Sequence, residues 1–387
     1  MRTPHLLDAS TFWVATGGVH RVLSTKHQRL AEQGWRHTVL APGAMGPGHV
    51  DCGGLRLPGS GGYRLVLNRS RVQRLIEQAG PDLVEAADPY VPAWAALSAA
   101  ERLHVPAVAF CHSNVPAMAE RLLGGALGAT TRRGRWAAQR ARRYLVDLYT
   151  RFDLVMAPSR GVVDLLQHWG VPRAVHQPLG VDCSVFNPAA NDPAWRYQLC
   201  QRLGLAPRTR LLVYSGRFAP EKNLQLLADA VRLMGPGHVL LAVGSGPRPP
   251  AGPRVFVLPP ETDSARLARL LASCDAYVHA GDLETFGLGV LEAMACGTPV
   301  VVSAAGGAGE LATHAGLRVE GRQAREWAEA MHGSLRGTTR HAFMALEKAR
   351  EHDWSWIVEQ LMRRYLRLLQ GHRPARAQTR SPAQAAA

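Results

Sequence analysis

Short apolar runs alternate with helix-period segments along the 387 residues, and no other property of the chain restricts its fold as much. Runs of three to five mostly apolar residues occur at 37–41, 83–86, 107–111 and 154–157, and again at 211–215, 239–243, 255–258, 276–279 and 300–302. A strand covered by helices on both faces is apolar throughout rather than alternating, so this pattern predicts parallel α/β architecture. Helices are predicted between the runs, over 19–33, 92–103, 161–169, 223–234, 264–273, 288–296, 325–335 and 339–352. The stretch 178–193, PLGVDCSVFNPAANDP, interrupts the alternation with Pro, Gly and Asp and reads as a linker. Two domains follow, 1–181 and 182–352. After them come an amphipathic helix over 353–370, with Ile357, Leu361, Tyr365 and Leu368 in line, and a tail over 371–387 whose composition suits disorder.

No run of about 18 apolar residues exists, so no transmembrane helix is expected, and the first residues lack the apolar core of a signal peptide. The six cysteines are scattered without a C-x-x-C pair, as in the reduced core of a cytoplasmic protein. Net charge is +15, with 21 basic against 13 acidic residues in 1–190 and 24 against 17 beyond, so the excess is spread over both halves. One cluster stands out: Arg132, Arg133, Arg135, Arg140, Arg142 and Arg143 surround Trp136 on a segment whose apolar stripe has helical spacing. A solvated face on a core-packed helix and a peripheral contact with anionic lipid at the inner face of the cytoplasmic membrane both suit it. No nucleic-acid-binding motif accompanies the charge, and nucleic acid is not an expected partner.

Chemistry concentrates in residues 284–301, ETFGLGVLEAMACGTPVV. A turn containing Gly287 and Gly289 opens a short apolar helix, whose first amides and dipole suit an anion. Glu284 and Glu292 flank it, eight positions apart. Two solvated carboxylates are the ordinary reading of such a pair, and a glycosidase pair is another. Eight positions of helix span about 12 Å, whereas glycosidase carboxyls lie roughly 5–9.5 Å apart. The spacing therefore favours gripping two ends of one extended ligand with a phosphate between them.

This segment closely resembles the signature of retaining family 4 glycosyltransferases, which have the GT-B fold: two Rossmann-like domains with parallel sheets facing a central cleft. The resemblance implies that Glu284 contacts the transferred sugar, that Glu292 contacts the ribose of the nucleotide, and that Phe286, Gly287, Leu288, Gly289 and Val290 line the diphosphate. SGRFAPEKN at 215–223 resembles the second signature of the family, in which Arg217 and Lys222 hold the diphosphate. An Arg and a Lys alone are ordinarily surface charge, but Lys222 is one of three lysines among 45 basic residues, which favours a position wanting a compact ammonium. Gly17 and Gly18 match the loop of the first domain that closes over the donor. His112 follows a strand, where a histidine is more often structural; the resemblance places it near the reacting sugar. Gly244 and Pro260 match nucleotide-facing loops, and Glu310 a glycine-rich loop. Asp88, Tyr90 and Asn114 are the acceptor-side candidates, and the last helix is expected to cross back onto the first domain.

The expected activity is transfer of a hexose of the mannose or glucose type from a nucleotide-diphosphate sugar to a glycan or lipid-linked acceptor in cell-envelope polysaccharide or glycolipid synthesis. His112, Arg217, Lys222 and Glu284 would form the catalytic set, with no metal and no cofactor, there being no Asp-x-Asp motif. A nucleotide-sugar epimerase of the same fold, or an inactive nucleotide-sugar-binding protein, are the rival readings.

Overall fold

The computed structural model describes residues 3–15, 17–57, 62–123 and 131–372. The tail expected at 371–387 lies outside the described residues from position 373 onward.

Among the described residues, nine strands belong to the first part of the chain: β1 (His5–Ala9), β2 (Arg36–Ala41), β3 (His49–Asp51), β4 (Leu55–Arg56), β5 (Arg64–Leu65), β6 (Leu83–Ala86), β7 (Ala107–Phe110), β8 (Leu154–Ala157) and β9 (Ala174–His176). Seven of them form a parallel sheet in the order β3-β2-β1-β6-β7-β8-β9, and β4 and β5 pair as a small antiparallel hairpin. The second part supplies β10 (Arg210–Ser215), β11 (His238–Val243), β12 (Val255–Leu258), β13 (Ala276–His279), β14 (Val300–Ser303) and β15 (Leu317–Val319). These form a second parallel sheet, ordered β12-β11-β10-β13-β14-β15.

In both sheets the strand order reverses once, between β1 and β6 and between β10 and β13. Loops leaving the carboxyl ends of strands on either side of such a reversal run apart and leave a crevice, which is where open α/β sheets bind ligands.

Strand β1 was not among the apolar runs, because Asp8 interrupts HLLDA. Its burial is offset by charge. Asp8 accepts from the buried Lys26 ammonium at 3.0 Å and pairs with His37 Nε2 at 2.7 Å, while Lys26 also donates to Glu85 on β6 at 2.8 Å. A buried carboxylate is tolerated only with such partners.

The linker and the last helix are tied together. Val181 N–H donates to His352 O at 2.9 Å, and Trp354 N–H donates to Val181 O at 3.1 Å. Gly180 lies against the Trp354 ring so closely that a Cβ there would sit 2.7 Å from Cδ2. From this joint the helix Trp354–Gly371 runs back onto the first domain. Arg364 donates to His176 O at 2.8 Å and to Gln177 Oε1 at 2.9 Å, and the buried Tyr365 hydroxyl donates to Glu85. All six cysteines are free thiols, five of them buried.

Candidate active site

The two reversal points face each other across a cleft of about 470 Å³. A larger hollow, about 630 Å³, lies beside Trp94 and Asp153 at the opposite, amino-terminal edge of the first sheet. Topology assigns chemistry to the carboxyl-end cleft rather than to this hollow.

Gly287, with φ +105°, turns the chain into the helix Leu288–Ala295, and a Cβ there would lie 3.1 Å from Cβ of Ala308. At Gly289 a Cβ would come within 2.5 Å of the Tyr277 hydroxyl. These two glycines let the start of the helix pack against β13 and β10 while it opens on the cleft, where Phe286, Gly287, Leu288 and Gly289 form the wall. Val290 sits behind it, fully buried.

Lys222 closes the short 3₁₀ turn Pro220–Lys222 after β10. The turn is pinned by Asn223, which adopts a left-handed conformation and donates from Nδ2 to Ala280 O at 2.9 Å. The Lys222 ammonium donates to Glu284 Oε1, and His279 Nε2–H donates to the same oxygen at 3.0 Å. The tautomer follows from the far side of the ring, where His279 Nδ1 accepts from Gly281 N–H at 3.3 Å. Burial opposes ionisation of Glu284, but the ammonium and imidazole outweigh it and hold the carboxyl well below the usual carboxylate range. Arg217, about half exposed, donates to Glu221 Oε1 at 3.1 Å.

Glu292 stands on the far side of the helix start. Arg21, from the first domain, donates to its Oε1 at 2.5 Å, while Oε2 is buried without a hydrogen-bond partner. Burial raises its proton affinity, and the guanidinium partly reverses that.

From the first domain, Gly17 and Gly18 border the cleft, and a Cβ on Gly18 would touch the Leu288 side chain at 3.5 Å. His112 also borders it, stacked on Phe110 with ring centroids 4.2 Å apart. Burial drives the His112 pKa down to about 3, so the ring is neutral at physiological pH. Its carbonyl accepts from Thr285 Oγ1 across the domain boundary at 2.7 Å. Gly244 and Pro260 line an adjoining recess together with Ser245 and Thr262.

The acceptor-side candidates separate. Asp88 faces inward, accepting from Ser10 Oγ at 3.0 Å, Thr11 N–H at 2.5 Å and Thr11 Oγ1 at 3.0 Å; it shapes the loop after β1 and has no face on the cleft. Asn114 caps the helix Val115–Leu123 through Ala117 N–H at 3.2 Å. Tyr90 is partly exposed and packs edge-on against Phe12, which lines the cleft with Tyr63. Glu310 accepts from Arg160 N–H and Gly161 N–H at 2.8 and 2.9 Å, capping a helix of the first domain.

Arg21, Glu221 and His279 were absent from the sequence-derived set. Arg21 follows Gly18 by three positions and faces the cleft with it, a signal the sequence did carry. His279 ends a strand beside Glu284, but a histidine at a strand end is too common to single out.

Residues 16–185 match the family described as Glycosyltransferase Family 4, and residues 209–336 match the family described as Glycosyl transferases group 1. The chain is 31% identical over 317 residues to a GDP-mannose-dependent alpha-mannosyltransferase of Mycolicibacterium smegmatis, covering 80% of this chain and 79% of that one. Among solved structures it superimposes on sucrose-phosphate synthase from Thermosynechococcus elongatus with a TM-score of 0.75 at 19% identity, covering 96% of this chain and all of that one. It also superimposes on Anabaena HepE in complex with UDP and glucose, with a TM-score of 0.72 at 20% identity, over 94% of this chain and 100% of that one.

Proposed function

The chain belongs to the family 4 glycosyltransferases, hexosyltransferases of the GT-B fold that use a nucleotide sugar, and on that premise we propose that it transfers mannose from GDP-mannose, with retention, to a lipid-linked acceptor at an anionic membrane surface. One observation carries the donor side: Arg217, Lys222, Glu284 and the start of the helix at Leu288 converge on a single cleft. The choice of donor rests on the mannosyltransferase relative.

In this reading the difficult step is departure of the diphosphate from the anomeric carbon. Lys222, Arg217 and the first amides of the helix Leu288–Ala295 stabilise the charge that develops on the leaving oxygen, with more effect in a water-poor cleft than in bulk solvent. The diphosphate carries more charge than one carboxylate, so it draws Lys222 away from Glu284. Glu284, still bonded to His279, then accepts from sugar hydroxyls. His112 is neutral and serves as a hydrogen-bonding wall beside the reacting carbon rather than as a charged acid. The acceptor oxygen attacks the face that the diphosphate leaves and gives its proton to the departing diphosphate oxygen, and holding both substrates between two domains supplies much of the rate by orientation.

The acceptor side rests on surface chemistry. Leu122 is 82% exposed and Trp136 62% exposed, beside the exposed Arg132, Arg133, Arg140, Arg142 and Arg143 on the helix Arg132–Tyr149. Arginines interleaved with exposed apolar side chains suit the headgroup layer of an anionic bilayer. Among the described residues no helix is long and apolar enough to cross a membrane.

The deciding assay follows release of nucleoside diphosphate from GDP-, UDP- and ADP-hexoses, with and without EDTA. GDP-mannose should be turned over fastest and EDTA should not matter. Absence of turnover with every donor, or strict metal dependence, would refute the reading.

A further inference from the structure

Arg21 belongs to the first turn of the helix Gly18–Glu32 in the first domain, yet its guanidinium is bonded to Glu292 of the second. This contact joins positions 271 residues apart. Glu292 is only 6% exposed, and burying a carboxylate without a cation favours its protonated form. Among the described residues, the ion pair Glu292 makes is with Arg21. Its second oxygen is buried and unpartnered, and Arg21 itself lines the cleft. A buried acceptor that receives no hydrogen bond is costly to keep unless a ligand donates one.

We propose that Arg21 is a positioning residue for donor recognition: it keeps Glu292 charged and turned so that Oε2 accepts from a ribose hydroxyl, and because it comes from the opposite domain it makes that grip depend on closure of the cleft. The proposal rests on the donor reading given above. It assigns Arg21 no contact with the diphosphate, which belongs to Arg217 and Lys222. Donor affinity and interdomain closure are then linked through one ion pair, since opening the cleft removes the cation that holds the ribose carboxylate in its accepting form.

Titration calorimetry with the full chain separates this role from others, using GDP and 2′,3′-dideoxy-GDP as probes. Arg21→Ala should weaken GDP binding about tenfold to a hundredfold, the worth of one charge-assisted hydrogen bond. It should change dideoxy-GDP binding by less than about twofold, because that probe offers Glu292 no hydroxyl. Glu292→Gln should show the same selectivity, and the double variant should be no weaker than Glu292→Gln alone. Arg21→Lys should recover part of the loss, since the charge returns without the planar fork. Arg21 is 38% exposed, so these variants should keep the parental circular dichroism, which shows that the binding losses do not come from unfolding. Equal weakening of both probes, additive losses in the double variant, or an unchanged GDP affinity in Arg21→Ala would each overturn the role of Arg21 alone. Failure of the parent chain to bind GDP, UDP or ADP would instead remove the donor reading and the proposal with it.

Discussion

Lys222 and Glu284 are bonded to each other across the floor of the cleft, ammonium to carboxylate, with His279 donating to the same carboxylate oxygen at 3.0 Å. The pair joins the two signature segments of the second domain, 62 positions apart, into one unit. It also means that neither charge is spent on solvent before a donor arrives.

Removing the ammonium should therefore affect chemistry more than folding. Lys222→Ala is expected to lower kcat for hexose transfer by about a hundredfold or more, in line with the loss of one donor to a developing oxyanion. The Lys222 side chain is 14% exposed and neutralises Glu284, so its removal should leave circular dichroism unchanged while lowering the thermal midpoint. A variant that keeps parental kcat would exclude the leaving-group role.

His112 is held neutral by burial, with a pKa of about 3. Its charge therefore does not change between pH 5 and pH 8. His112→Gln keeps hydrogen-bonding atoms and should lower kcat/KM without altering the shape of the pH–rate profile over that range. Loss of an inflection near neutrality in the variant would show that the ring titrates during turnover.

Gly180 is required by the close approach of Trp354, where a Cβ would stand 2.7 Å from the ring. Gly180→Ala should force the linker and the last helix apart and cost about 1–3 kcal/mol, the usual penalty for overpacking. Urea unfolding measures it directly. The same substitution at Gly34, where nothing lies within 4 Å of the Cβ position, tests left-handed backbone strain without a clash and should cost less.

The two-domain parallel architecture was legible because strands buried on both faces must be apolar, and most of these are. What escaped were β3, β4, β5, β9 and β15, of two or three residues each, and β1, where Asp8 sits in the centre of a sheet and is balanced by Lys26 and His37 from other elements. A sequence shows the charge but not the partners that make it affordable. The same limit governs the site. Glu284, Lys222 and the glycine turn sit close in sequence to the strand ends that place them, and motif order led to them. Arg21 reaches Glu292 only once two domains have docked. Asp88 is expected from sequence to face the cleft with Tyr90 and Asn114, yet three donors from the loop after β1 turn it inward.

Membrane docking should follow the exposed arginines. Reversing charge at Arg132, Arg133 and Arg143 removes three cations worth about 1 kcal/mol each near an anionic surface, so binding to phosphatidylglycerol vesicles should weaken at least about a hundredfold. Raised salt should mimic this, because screening shortens the reach of the charges. Trp136→Ala should weaken binding without changing its salt dependence. Cosedimentation that is equal for phosphatidylglycerol and phosphatidylcholine vesicles would count against an electrostatic contact.

Two buried carboxylates, Asp8 and Glu85, share the single ammonium of Lys26. Asp8, backed by His37, takes the greater part of the charge and its pKa falls to about 2, whereas burial pushes Glu85 up to about 7. A glutamate in the unfolded chain titrates near 4.5, so between that pH and about 7 the folded chain holds a proton that the unfolded chain has released. Stability from this group is thus fully present below pH 4.5 and is lost as pH rises through 7. Other ionisable groups contribute their own slopes, so the informative quantity is the difference between the parent and Glu85→Gln. Gln keeps one acceptor oxygen for Lys26 and presents an amide N–H to the Tyr365 hydroxyl, which then accepts, but it cannot ionise. In urea unfolding at pH 5 and pH 8, the parent should lose on the order of 2 kcal/mol more than the variant over that interval. Parallel pH dependence in the two chains would mean that Glu85 is already ionised at pH 5, and that the last helix is fastened to the first domain by a charged carboxylate rather than a protonated one.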